Sequence, residues 1–331
     1  MSSKPLVSII IIDYKKDNPY LKESFAAIKK QTYRHYEVIL VTDYPVKITA
    51  PKLKKKSYGH YVGPADKRDE GAKLSKGSIL AFLDDDAHPS PKWLETIVKN
   101  FQDKKVAAVG GPGVTPPGVN YLEEASGWAS ASPFGSGSYT YRFLPRPKRE
   151  VDDYPSMNLA VRKSDFNEVK GFDSHYWPGE DTKLCLDLTE KLGKKIIYDP
   201  KALVYHHRRP VLVPHLKQNG NFGLHRGFFA RVLPKTSFRA VYFLPSLMSL
   251  GLIYLLLIPI FSHPYLLIIA QVGYSLLGLY IAALMVNAIW ILNQSKKVTQ
   301  ALLSVPVIFI THFWYGLRFL QGFFFTAKLR R

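Results

Sequence analysis

Apolar and polar positions divide the chain into two parts of different character. In the first, short apolar runs recur between polar turns: "LVSIIII" (residues 6–12), "EVILVTD" (37–43), "SILAFLDDD" (78–86) and "VAAVGG" (106–111). Unbroken runs of this kind, rich in β-branched residues, predict strands buried on both faces. Between them the apolar residues return at helical spacing. Leu21, Phe25 and Ile28 predict a helix over 20–31, a second helix is predicted over 65–76, and a third over 91–101 behind a proline start signal. Strands alternating with helices predict an α/β fold with a mainly parallel sheet and right-handed crossovers.

From residue 241 the pattern changes. The stretches 241–261 and 265–292 carry no charged side chain, and each reaches the ~20 apolar residues needed to cross ~30 Å of hydrocarbon. A third, 301–325, holds His312, Arg318 and Gln321. Spanning or re-entering the bilayer both remain open for it, because three crossings would put Lys328, Arg330 and Arg331 on the outer face, against the positive-inside tendency. Just ahead, residues 222–240 interleave Phe228, Phe229, Val232 and Leu233 with Arg226, Arg231, Lys235 and Arg239. That pattern predicts an amphipathic segment lying in the membrane interface. The expected division is a water-soluble domain over 1–221, the interfacial segment over 222–240 and a transmembrane region over 241–331.

Charge follows the same division. The chain has 45 Lys+Arg against 26 Asp+Glu in 331 residues. No acid and six of the basic residues fall after position 240, which leaves the first part at a net +13. Nucleic acid is not the expected partner: the basic residues gather toward the membrane-facing end and no recognised nucleic-acid module is visible. The start of the chain lacks a signal-peptide pattern, so the first domain is expected on the cytoplasmic face of a multi-pass cell-membrane protein. The single cysteine, Cys185, excludes an intrachain disulfide and fits a reducing compartment.

Candidate chemistry lies at the strand ends. Asp13, Asp43 and the triplet Asp84, Asp85 and Asp86 all fall at the carboxyl ends of predicted strands, where open α/β sheets bind ligands. Adjacent carboxylates raise one another's pKa unless a cation neutralises them, and hard oxygen donors suit Mg²⁺ or Mn²⁺ shared with a substrate's phosphates. A helix cap and solvated turn before "HPSP" explains the same residues, and both readings stay open here. Further on, Gly179 precedes Glu180 and Asp181 at the head of a helix marked by Leu184, Leu188 and Leu192. Acids there complement the helix dipole, or one of them serves as a general base.

Several separated segments resemble one family. "VSIIIIDYKKDNPYLKESFAAIKKQTYRHYEVILVTDYP", "GPADKRDEGAKLSKGSILAFLDDDAHPSPKWLE", "MNLAVRKSDFNEVKGFDSHYWPGEDTKLCLDL", "YHHRRP" and "FGLHRG" occur in the order found in the inverting nucleotide-sugar glycosyltransferases of family 2, which have the GT-A fold. The resemblance covers residues 7 to about 234. It implies that Tyr14 borders the nucleobase of a nucleotide-sugar donor, that Asp43 accepts a hydrogen bond from that base, and that Arg68 faces the nucleotide. Asp84 and Asp86 would form the DxD pair, with Asp86 the direct ligand of Mn²⁺ or Mg²⁺ and Asp85 between them on the donor side. Asp181 would be the base and Glu180 its positioning partner. His206, in the basic run His206, His207, Arg208 and Arg209, would complete the metal shell or bind the diphosphate, although a solvated charge run at a membrane surface is equally good physics. Tyr14 and Arg68 also have ordinary readings, as a strand-end aromatic and a solvated helix residue. The chain departs from the family at Ile12-Asp13-Tyr14-Lys15, where Pro-Thr-Tyr-Asn is usual, and at Thr42-Asp43-Tyr44, where Asp-Asp-Gly is usual.

The implied function is a membrane-bound, metal-dependent transferase that moves a sugar from a nucleotide-sugar donor to a hydroxyl of a lipid-linked glycan, in surface polysaccharide or glycoconjugate synthesis. Two alternatives are kept: transfer to a polyprenyl phosphate, and a non-catalytic membrane scaffold that retains the fold. The Gln-x-x-Arg-Trp motif of processive synthases is absent, since Gln218 is followed by Asn219, Gly220, Asn221 and Phe222. That favours addition of one or a few sugars. Arg226 and Arg231 would meet phosphates of the lipid-linked acceptor or of the donor, or would only anchor the helix that follows.

Overall fold

A computed structural model describes residues 4–258 and 264–329. The end of the first apolar stretch (259–261), together with Arg330 and Arg331, lies outside the described residues. The elements run β1 (Val7–Asp13), α1 (Tyr20–Lys29), β2 (Tyr36–Thr42), β3 (Leu53–Ser57), α2 (Pro64–Leu74), β4 (Ile79–Asp84), β5 (Ala87–Pro89), α3 (Trp93–Asn100), β6 (Val106–Gly110), β7 (Gly113–Val114), α4 (Tyr121–Ala131) and α5 (Pro133–Ser136). They continue with β8 (Arg149–Val151), β9 (Asn158–Arg162), α6 (Lys163–Glu168), α7 (Glu180–Leu186), β10 (Lys195–Tyr198), β11 (Val204–His206), α8 (Val213–Val232), α9 (Pro234–Ser237), α10 (Ala240–Leu257), α11 (Pro264–Ser295) and α12 (Val298–Leu320). Two compact units result. One takes in the chain up to Pro116 and Tyr141–His207; the other takes in Pro117–Thr140 and Arg208–Leu329.

In the first unit the apolar runs form strands where their pattern requires. Ile9, Ile10 and Ile11 of β1 point alternately to the two faces of a sheet and all three are buried, each burial contributing about 1.5–3 kcal/mol. The sheet order among the described residues is β3-β2-β1-β4-β9-β6-β10-β8. β3, β2, β1 and β4 run parallel, whereas β9 is antiparallel to both β4 and β6. The sheet is therefore mixed, and β6 does not follow β4 directly. α2 lies flat on β1 because Gly71 has no side chain: a Cβ there would stand 2.5 Å from Cγ2 of Ile10.

Register brings the strand ends together. Asp13 pairs with Thr42, one residue before Asp43, and Ile12 pairs with Asp84, so three acidic strand ends share one edge. A second, small sheet has the order β5-β11-β7. In it His206 opposes Ala87, the residue after the aspartate triplet.

In the second unit, Ala240–Leu257, Ile268–Ser295 and Val298–Phe325 are long and apolar enough to cross a membrane. α12 runs unbroken through His312 and Arg318 for 23 residues, about 35 Å at 1.5 Å per residue. The boundary expected at residue 221 falls inside α8, and residues 117–140 belong with the C-terminal helices. Residues 222–232, expected at a membrane interface, bury Arg226, Phe228 and Phe229. The cause is a seam in which α8 and the end of α12 touch backbone to backbone. A Cβ at Gly227 would stand 2.0 Å from the carbonyl oxygen of Phe319, and one at Gly322 would stand 1.9 Å from that of Leu224. Small residues permit such contact between apolar helices. Polar bonds join α10 to α12 as well, since Ser246 Oγ donates to Gly316 O at 3.1 Å and Ser249 Oγ to Phe313 O at 2.9 Å.

Gly227→Ala is therefore expected to destabilise the helical unit by ~1–3 kcal/mol. Gly251→Ala, at a position with open space around it, is expected to change little. Thermal unfolding of the two variants in detergent checks the pair, and equal midpoints would refute the seam.

Candidate active site

The site assembles on the acidic sheet edge of the first unit. Asp43 follows β2 and is buried, and its Oδ1 accepts hydrogen bonds from Lys67 Nζ at 2.8 Å and the Val62 amide at 3.1 Å. Lys67 is itself buried and donates also to the carbonyl of Asp13 at 3.1 Å. Oδ2 of Asp43 and Oδ2 of Asp13 are buried without a hydrogen-bond partner, so this corner holds more acceptors than the protein satisfies. Tyr14, half exposed, stands beside it at the end of β1, with Lys15 Nζ 5.4 Å from its ring centre.

Arg68, one residue beyond Lys67 on α2, is buried between two carboxylates. Its Nη1 donates to Glu180 Oε1 at 2.8 Å and its Nη2 to Asp84 Oδ1 at 3.1 Å. The guanidinium also lies 5.6 Å from the Phe172 ring centre. One cation thus joins the end of β4 to the start of α7.

The aspartate triplet spans the end of β4 and the turn that leads into β5. Asp85 accepts from Asn18 Nδ2 and lies 3.6 Å from Lys15 Nζ. Burial pushes its carboxyl up to about 8, and the charges of Asp86, Asp84 and Asp13 push the same way against the pull of Lys15. Asp86 is buried, with Oδ1 3.0 Å from Nε2 of His206. Asp84, Asp86 and His206 each present a donor atom within 4.8 Å of the other two. Two carboxylates and an imidazole in that space, beside a third carboxylate held above its ordinary range, fit a divalent cation.

Across Arg68 the acidic pair is split by environment. Glu180 is buried and ion-paired. Asp181 keeps partial solvent access; its Oδ2 accepts from the Ser156 amide at 3.1 Å and its Oδ1 from the Thr182 amide at 2.8 Å. Burial raises its carboxyl to about 6, helped by Glu180 and Asp153 and opposed by the Ser156 N–H and Arg68.

The structure thus brings Tyr14, Asp43, Arg68, Asp84, Asp85, Asp86, Glu180, Asp181 and His206 into one unit. Arg226 and Arg231 belong to the helical unit. There Arg226 is buried, donates to Ser237 Oγ at 3.2 Å and lies 5.2 Å from the Tyr242 ring centre, while Arg231 donates to the carbonyl of Thr326. Sequence reasoning missed Lys67. The available signal was the weak apolar face of "PADKRDEGAKL": a helix packed on a sheet without a full apolar stripe must bury some of its charges.

Residues 8–170 match Glycosyl transferase family 2. The chain carries a family 2 glycosyltransferase domain. Glu180, Asp181 and His206 lie beyond the matched span. The chain is 32% identical over 166 residues to the pre-mycofactocin glycosyltransferase of Mycobacterium tuberculosis, covering 50% of this chain and 34% of that protein. It is 26% identical over 151 residues to the glucosyl-dolichyl phosphate glucuronosyltransferase of Haloferax volcanii, covering 42% of this chain and 46% of that protein. It therefore spans between a third and a half of the length of these relatives. The family 2 domain and its flanks also share a GT-A-like fold with the mannosyltransferase PcManGT of Pyrobaculum calidifontis, solved in complex with GDP-Man and Mn²⁺. That structure is 17% identical with a TM-score of 0.53, covering 93% of this chain and 88% of that one.

Because Arg68 compensates two carboxylates in the first unit, Arg68→Met is expected to cost about 3–5 kcal/mol. Adding Glu180→Gln, which removes one of the stranded charges, should recover part of that loss. Denaturant unfolding measures both, and a double variant no more stable than Arg68→Met would contradict the pairing.

Proposed function

We propose that the chain is a membrane-bound, inverting glycosyltransferase that moves a sugar from a nucleotide-sugar donor to a hydroxyl of a lipid-linked acceptor, with Mn²⁺ or Mg²⁺ held at a DxD site. The observation that carries this reading is the convergence of Asp84, Asp86 and His206 on one point, coupled through Arg68 to Glu180 beside Asp181. Nucleotide-sugar use is supported by the GDP-Man and Mn²⁺ of the P. calidifontis structure. A lipid-linked acceptor is supported by the three apolar helices and by the dolichyl phosphate in the name of the H. volcanii relative. The basic residues ahead of α10 favour the cytoplasmic face for the family 2 domain.

Asp43, with an acceptor oxygen to spare, and Tyr14 hold the base. Asp86 and Asp84, with His206, would hold the cation, which would supply positive charge against the donor's diphosphate. Arg68 fixes Asp84 in place and, through its ion pair, holds the Glu180 carboxylate still. Asp181 then takes the proton of the acceptor hydroxyl as its oxygen bonds to the anomeric carbon. The carbon–oxygen bond to the diphosphate breaks with its electron pair going to the leaving group, so the anomeric centre inverts. A partly accessible carboxylate with a pKa near 6 suits the base role, because it is ionised at neutral pH yet holds a proton more firmly than an ordinary aspartate.

Three outcomes test the proposal. Asp86→Ala should leave the domain folded and abolish the part of donor affinity that depends on Mn²⁺, read by calorimetry with and without metal; equal affinities in the parent chain would end the DxD assignment. Asp181→Asn should keep donor binding and lose at least ~10²-fold in transfer. Near-normal transfer in that variant would instead favour a polyprenyl phosphate acceptor, whose oxygen is already ionised and needs no base. The parent's kcat/KM should be flat above pH ~6 and fall about tenfold per unit below it as Asp181 takes up a proton; the sign follows from a raised pKa, which keeps the base protonated to a higher pH than usual. A profile flat down to pH 5 would remove Asp181 from the role.

A further inference from the structure

We infer that Glu23, His88 and His207 form a second metal site, suited to a transition ion such as Zn²⁺ and separate from the aspartate triplet. The three residues come from three elements of the same unit: Glu23 from the first turn of α1, His88 from the middle of β5, and His207 from the position after β11. Antiparallel pairing sets Tyr205 opposite His88, which brings His207 to the same end. Their candidate ligand atoms all lie within 4.8 Å of one another. Glu23 Oε1 is 3.6 Å from Nδ1 of His88, and Glu23 Oε2 is 2.9 Å from Nε2 of His207. Ligands around a tetrahedral Zn²⁺, at about 2.0–2.2 Å from it, stand roughly 3.3–3.6 Å apart. Small side-chain adjustments therefore bring these atoms to bonding positions.

The donor set differs in kind from that of the triplet. Two imidazoles and one carboxylate favour Zn²⁺, Co²⁺ or Ni²⁺ over Mg²⁺, whereas carboxylate-rich sites favour the harder ions. Ring packing holds both imidazoles: His207 stacks on Tyr20 with centres 4.2 Å apart, and His88 on Tyr205 at 5.1 Å. The histidine side chains are only 15% and 12% exposed, while Glu23 is 45% exposed. Three protein ligands with one open side leave a fourth position for water.

Such an ion would brace the donor site. The His207 amide donates to the carbonyl of Asp86 at 3.0 Å, and the side chain of His206 faces the carboxylate of the same residue. Tying His207 to α1 and β5 therefore fixes the strand end that presents His206.

The test uses the full chain in detergent, stripped of metal by a chelator and titrated with Zn²⁺ in excess Mg²⁺, with bound zinc measured by elemental analysis. Substituting Co²⁺ gives visible absorption bands whose intensity is an independent signature of a four- or five-coordinate site. The expected result is one equivalent of Zn²⁺ bound by the parent and by Asp84→Asn. Affinity should fall at least ~10–100-fold in His88→Gln and in Glu23→Gln, a loss no smaller than removal of an outer-shell partner causes. Glu23 lies on an exposed helix turn, so its variant is informative even where His88→Gln fails to fold, and circular dichroism of the metal-free proteins checks both. Absence of bound zinc in the parent, or zinc retained by both ligand variants and lost from Asp84→Asn, would overturn the inference.

Discussion

The placement of one guanidinium organises the first unit. Glu180 and Asp84 reach the same sheet edge from distant parts of the chain, and two carboxylates cannot share a buried corner without a cation. Arg68 supplies it, bonded to both. Its own burial requires α2 to lie close on the sheet, which Gly71 permits by presenting no side chain to Ile10. Close packing of a helix, pairing of charges and the aim of the candidate base are therefore consequences of a single constraint.

A second buried cation, Lys67, applies the same logic one residue earlier. Its ammonium meets the carboxylate of Asp43 and the carbonyl of Asp13, so α2 delivers adjacent positive charges to the ends of β1, β2 and β4. Removing water from these ions is costly, and excellent geometry is needed to offset it. Proteins keep such pairs where position matters more than stability, and the unpartnered oxygens of Asp13 and Asp43 leave capacity for a ligand at that place.

Much of the first unit could be read from residues alone. β1, β2, β4 and β6 are continuous apolar runs, and a strand buried on both faces admits little else. The aspartates after them were legible because a strand end fixes where the next side chain goes. Less local features were not legible. β9, "NLAVR", is too short to distinguish from a helix start, and its antiparallel insertion between β4 and β6 depends on partners far away in sequence. Lys67 gave no periodic signal of its own. Residues 222–232 carry an interfacial pattern of aromatic and basic residues, yet their glycines, which that pattern ignores, let α8 sink against α12 and take Arg226 inside.

That glycine seam has a thermal consequence. Where backbones touch, cohesion comes from dispersion rather than from the release of water. Apolar burial weakens as temperature falls, but contact attraction between closely packed atoms does not depend on water being present. The α8–α12 pair is thus built to keep its grip in the cold, when a bundle joined chiefly by burial of leucine against water would loosen.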